Sequence, residues 1–109
     1  NPRISDRYDV LSAPFLKILR EIVKKADKAG VECSVCGEMA SNPIEAMVLI
    51  GLGYRRLSVA GSAYANIKNM IRSLNVQDIS DYVQILFKSP KRTLRPQLLS
   101  YAVDHAIAI

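Results

Sequence analysis

Two short β-leaning runs, residues 31–35 and 56–60, stand between longer stretches of helical periodicity. Strands that alternate with helices build parallel sheets closed by crossover helices, so this order restricts the chain to the α/β class. Ser12 is placed to cap a first helix, with Pro14 in its first turn and Phe15, Leu16, Ile18, Leu19, Ile22, Val23 and Ala26 at helical spacing as far as Gly30. Asn42 caps a second helix, with Pro43 at its first position and Glu45 three residues on, a capping-box spacing. Residues 44–50 are almost wholly apolar, so this helix is expected to pack on several sides, and Gly51-Leu52-Gly53 closes it. Gly61 and Ser62 turn into a third helix with Ile67, Met70, Ile71 and Leu74 on one face, which Asn75 breaks. Residues 78–87 read as a fourth helix, Ser89-Pro90 interrupts, and residues 97–108 read as the last. Two strands alone make a poor sheet with open edges. The pattern therefore predicts the closing part of a larger α/β barrel: two parallel strands with surrounding helices, followed by terminal helices.

The 109 residues suffice for one small core, and half of them are apolar, which excludes a disordered tail. No apolar run approaches a membrane span, and the polar start Asn1-Pro2-Arg3-Ile4-Ser5-Asp6-Arg7 is no signal peptide. The absence of an initiator Met suggests an excised or processed piece. Two cysteines three positions apart are not a secreted disulfide framework, so reduced thiols and a cytoplasmic setting are expected. The net charge of +5 would permit nucleic-acid binding. The basic residues argue otherwise. Lys17, Arg20, Lys24, Lys25 and Lys28 form a solvated helix face, and Lys88, Lys91, Arg92 and Arg95 form a loose cluster around two prolines, with no aromatic platform between them.

Cys33-Ser34-Val35-Cys36 matches a redox or zinc spacing by letter. Positions three apart in a strand face opposite sides, however, so the two thiols are not expected to share a disulfide or a metal. The only histidine, His105, is too distant in sequence to complete a local zinc set and reads as a helix-surface residue near the chain end. Cys33 reads as a small buried apolar residue. Cys36 ends the strand and is followed by Gly37, which lets the backbone turn and a ligand approach. Packing residue and functional thiol both remain open for it on these grounds.

Cys36-Gly37-Glu38-Met39-Ala40, Asn42-Pro43 and Leu49-Ile50-Gly51-Leu52-Gly53 together resemble the phosphoenolpyruvate–protein phosphotransferases, enzyme I of the bacterial phosphotransferase system. Gly51-Leu52-Gly53-Tyr54-Arg55-Arg56-Leu57-Ser58 is most similar to the nitrogen-related branch, and the stretch from Asn1 to Asp9 fits as well. The likeness runs over residues 1–74 and continues more weakly beyond. Pyruvate phosphate dikinases and phosphoenolpyruvate synthases share the cysteine but usually continue differently. A fragment of one of these, or a small non-enzymatic binding module, is the alternative. One departure is Ser41-Asn42, where the family often has Gly-Asp.

The resemblance implies that residues 1–74 are the end of a phosphoenolpyruvate-binding (β/α)8 barrel and residues 75–109 its terminal helices. It implies transfer of the phosphoryl group to a protein histidine outside this segment. Cys36 would then be the proton donor to the pyruvate enolate. A thiol's ordinary pKa of about 8.5 suits an acid at neutral pH, where a carboxyl group is already ionised. Gly37 and Glu38 would adjoin the substrate, with Glu38 supporting rather than binding metal. Magnesium would be held by residues outside this segment, and a phosphocarrier protein would dock on a missing amino-terminal part. The uncovered apolar faces at 44–50 and 67–74 predict self-association, and the resemblance implies a homodimer through the phosphoenolpyruvate-binding domain. Folding back of the terminal helices is the alternative.

Overall fold

The computed structural model describes residues 9–109. In order these form helix α1 (Ala13–Lys28), strand β1 (Ser34–Val35), helix α2 (Glu38–Ser41), helix α3 (Pro43–Leu52), strand β2 (Arg56–Leu57), a 3-10 turn (Gly61–Ala63), helix α4 (Tyr64–Ser73), helix α5 (Val76–Leu86) and helix α6 (Arg95–Asp104). Residues 1–8, part of the stretch likened to the phosphotransferases, lie outside the described residues.

The strands pair in parallel, Ser34 with Arg56 and Val35 with Leu57, as the alternating order predicts. Pairing is shorter than the sequence runs 31–35 and 56–60, because the flanking backbone is committed elsewhere. The Val31 N–H donates to Ala26 O at 2.9 Å and so belongs to the end of α1. The Ala60 N–H donates to Ser41 Oγ at 2.9 Å. The turn helix α2 lies outside the elements that the sequence pattern predicts. Its four residues are too few for periodicity to register.

Three helices stop by the same device. The last turn closes with crossed backbone bonds over a residue of positive φ: Gly30 (φ 70) after α1, Gly53 (φ 120) after α3 and Ala106 (φ 55) after α6. This stop places the end of α6 at Asp104, whereas the sequence pattern extended the last helix to 108. At the other end Pro96 fits the first turn, so the helix starts at Arg95 rather than 97. A side chain at positive φ costs roughly 1 kcal/mol or more. Ala106→Gly is therefore expected to stabilise the fold by about 1 kcal/mol, read as a higher urea midpoint with unchanged slope.

Asn75 does more than break α4. Its Oδ1 accepts the Asp78 N–H at 3.0 Å, and α5 begins at Val76 rather than at 78. Ser12 sits at the start of α1 as expected, yet its hydroxyl makes no capping bond. The local backbone is instead held by the 92–94 segment: Ala13 N–H donates to Arg92 O at 2.7 Å and Leu94 N–H to Leu11 O at 2.9 Å.

The core is organised around α3, whose Ile44, Ala46, Met47, Val48, Leu49, Ile50, Gly51 and Leu52 are all buried. It is covered by α5 through Ile79, Val83 and Leu86, by α4 through Ile67 and Met70, and by α1 and α6. The face at 44–50 is thus not left uncovered: the alternative arrangement holds, with the terminal helices folded back over it. Residues 67–74 split, with Ile67 and Met70 buried while Ile71 is 44% exposed, because α4 meets its neighbours along a narrower stripe than the sequence suggests. The radius of gyration is 13.5 Å. A folded domain of about this length has roughly 13 Å.

Candidate functional site

Because the strands are parallel, their carboxyl ends lie at one end of the sheet. The Ser58 N–H donates to Val35 O at 2.8 Å, extending the ladder by one bond past β1. Cys36 follows immediately and is exposed. Gly37 then adopts φ 91, ψ −160, a region that is essentially glycine-only. A Cβ at Gly37 would meet nothing within 4 Å, so the demand for glycine is conformational rather than steric. This turn swings the chain from strand into α2, with exposed Glu38 as its first residue.

The two thiols separate as strand alternation requires. Cys33 is half-buried with Val35, Leu57 and Val59 against the core, a lesser burial than the full one expected. Cys36 falls with exposed Glu32, Ser34, Arg56 and Ser58 on the sheet face turned away from the helices. That face is polar, and Arg56 Nη2 donates to Glu32 Oε1 at 2.8 Å across it. Cys33 and Cys36 are both free thiols.

The loops carrying the site are fixed by neighbours that the residue pattern only partly reveals. Asn42 Oδ1 accepts from Ile44 N–H (3.1 Å) and Glu45 N–H (3.3 Å), capping α3 as predicted. The reciprocal half of the capping box is replaced. Glu45 instead faces Arg95, with Nη2 at 3.5 Å from Oε2, and Arg95 also donates to Asp9 Oδ1 from Nε (3.2 Å) and Nη2 (3.0 Å). Arg95 therefore leaves the basic cluster assigned to it and clasps the leading segment, α3 and α6 together. Burial pushes the Glu45 carboxyl up despite Arg95, and the nearby charges of Asp9 and then Glu38 add to this. For Asp9 burial is again the largest influence, but hydrogen bonds from Thr93 Oγ1, Leu11 N–H and Arg95 together outweigh it and hold the carboxyl below its ordinary range.

A group with a lowered folded pKa adds stability above its unfolded pKa and loses it as pH falls through the folded one. Glu45, with its raised pKa, works in the opposite sense: its penalty at neutral pH is relieved on acidification. Arg95→Ala is expected to cost about 1–2 kcal/mol at neutral pH, as a half-exposed charged hydrogen-bond pair should. Asp9→Asn should flatten the loss of stability on the acid side of about pH 4. Urea melts of both variants across that range check the pair.

The Gly-Leu-Gly-Tyr-Arg block acts as a structural stop and redirection. Leu52 and Tyr54 are buried, and Tyr54 Oη donates to Leu19 O at 2.8 Å. Arg55 Nη1 donates to the α3 carbonyl of Ile50 (2.8 Å) and to Tyr54 O (3.0 Å). Those contacts end α3 and feed the chain into β2. His105, exposed at the end of α6, stacks on Tyr101 at 4.0 Å, in keeping with a surface role. Among the described residues, no three His, Cys, Asp or Glu side chains are grouped to hold a metal ion. No helix there is long and apolar enough to cross a membrane.

The chain belongs to the family of PEP-utilising enzymes, PEP-binding domain, whose profile matches residues 1–76. It is 40% identical over 108 residues to a protein named phosphoenolpyruvate-dependent phosphotransferase system from Salmonella typhimurium, and 34% identical over 108 residues to one of the same name from Escherichia coli. Each alignment takes in 99% of this chain and 13% of the relative, so the chain spans a small part of either protein's length. A phosphoenolpyruvate-protein phosphotransferase from Borreliella burgdorferi is 29% identical over 101 residues, 93% of this chain and 17% of that protein.

Proposed function

We propose that this chain is the closing part of the phosphoenolpyruvate-binding barrel of a phosphoenolpyruvate–protein phosphotransferase, in which Cys36 protonates the pyruvate enolate. The observation that carries the reading is Cys36 itself, exposed at the carboxyl end of β1 and next to the glycine-only conformation of Gly37. Parallel α/β barrels keep their chemistry at that end. The open edges of β1 and β2 would pair with further strands of the barrel, residues 1–74 forming its end and 75–109 its terminal helices.

Phosphoenolpyruvate gives its phosphoryl group to a histidine elsewhere in the protein, and the enolate of pyruvate remains. The enolate methylene carbon then takes the proton from Cys36 Sγ. A C–H bond forms, the S–H bond breaks, and the thiolate is reprotonated by solvent. Gly37 leaves room beside the reacting carbon, and Glu38 lies at the margin. Magnesium, implied by the resemblance, would be held outside the described residues, and no step here passes through it. The phosphocarrier partner, the homodimer, the cytoplasmic setting and the nitrogen-related branch, suggested by residues 51–58, belong to the same proposal.

Reversal provides the test. The Cys36 thiolate should abstract a methyl proton from bound pyruvate, so the full-length phosphorylated protein should exchange pyruvate methyl protons in D2O. NMR should show this exchange falling at least about 100-fold in Cys36→Ala. Undiminished exchange would remove Cys36 from the reaction.

A further inference from the structure

We propose that Ser41 is a positioning residue for the Cys36 thiol, an inference that rests on the reading of Cys36 as proton donor. The loop holding that thiol is fixed to β2 at two points. Upstream, Val35 O accepts the Ser58 N–H at 2.8 Å. Downstream, Ser41 Oγ accepts the Ala60 N–H at 2.9 Å. Between these bonds lie Cys36, Gly37 and the turn helix α2.

Among the described residues, the other hold on that interval is apolar packing, with half-buried Met39 against the core. Cys36, Gly37 and Glu38 are all exposed, and the space around Gly37 is open to 4 Å. Fully buried Ala40 anchors α2 from below. Among the described residues, the Ser41 bond is the side-chain hydrogen bond that ties the interval to the segment after β2, since the strands themselves end at Val35 and Leu57. It also serves Ala60 at a structurally committed point: the Ala60 carbonyl accepts from Ala63 N–H at 2.9 Å and opens the 3-10 turn that leads α4. One hydroxyl thus couples the loop after β1 to the loop after β2. A proton donor must be held within a fraction of an ångström of the carbon it serves, and small displacements at such a site are felt in the rate. Ser41 touches no reacting atom, so loss of this one tie should slow the reaction rather than stop it.

The test uses the full-length protein with Ser41→Ala, Ser41→Thr and Cys36→Ala. Ser41→Ala should lower kcat for pyruvate formation about 5- to 20-fold with KM for phosphoenolpyruvate unchanged. Amide exchange at Ala60 should quicken. Ser41→Thr, which keeps the hydroxyl, should restore both. Wild-type kcat in Ser41→Ala, or an equal kcat loss in Ser41→Thr, overturns the positioning role. If Cys36→Ala is inactive while Ser41→Ala turns over normally, only this inference fails. If Cys36→Ala keeps wild-type turnover, the proton-donor reading itself has failed.

Discussion

Pyruvate formation by the full-length protein is expected to fall by about 10² to 10⁴ in Cys36→Ala and in Cys36→Ser, with no loss of folding stability. The two halves of that expectation have separate grounds. Cys36 is exposed, so its truncation opens no cavity and unpairs no buried group. The chemical loss comes from the proton. A serine hydroxyl is a far weaker acid than a thiol and cannot supply one to the enolate carbon on the turnover timescale. Cys33 is the internal control. It lies half-buried against the core on the opposite sheet face, so Cys33→Ser should leave turnover near wild type and lower the melting temperature modestly. A coupled pyruvate assay and a thermal melt on the same samples decide the matter. Wild-type turnover in Cys36→Ala, or a rate loss in Cys33→Ser as large as that in Cys36→Ala, would sink the assignment.

Much of this division between the thiols could be read from letters alone, because strand alternation is a geometric rule that holds even for a two-residue strand. The caps were legible for the same reason: Asn42 and Gly30 act locally, and each does what its residue type does elsewhere. Arg95 and Glu45 were not legible. The first looked like one of four loose cations and the second like half of a capping box, yet they meet across 50 residues of chain, with Asp9 as a third partner. Spacing carries no signal for such a contact. Ser41 likewise reads in the sequence only as a departure at a helix start, because its partner Ala60 lies 19 residues on. The burial of residues 44–50 follows from their apolar run. Of the two covers the sequence allows, self-association or folding back of the terminal helices, the structure has the second, with α5 supplying most of it through a readable helical stripe. What was missed throughout is tertiary pairing, which depends on where helices cross rather than on what each is made of.

Gly51 sits at the tightest of those crossings, and Gly51→Val is expected to destabilise the fold by about 3 kcal/mol. A Cβ built there lies 3.1 Å from Ile79 Cγ1, 3.3 Å from Val83 Cγ2 and 3.4 Å from the Ile79 carbonyl oxygen. The side-chain neighbours can yield a little, but the carbonyl belongs to the backbone of α5 and cannot. Two effects oppose each other in the smaller change. Gly51→Ala gains roughly 1 kcal/mol of helix propensity in α3, and it forces the two helices apart by a few tenths of an ångström. Overpacking of a close crossing costs about 1–3 kcal/mol, so the alanine variant should be mildly destabilised and the valine variant, with two more methyl groups and a smaller propensity gain, much more so. Combining Gly51→Val with Ile79→Ala separates this account from a general intolerance at the site. Ile79 is fully buried, and its truncation alone should cost about 2–4 kcal/mol by leaving a cavity. If the valine fills that cavity, the double variant should lose at least about 1 kcal/mol less than the sum of the single losses. Strict additivity in urea denaturation would show that α3 and α5 do not meet at Gly51 as closely as their side chains indicate.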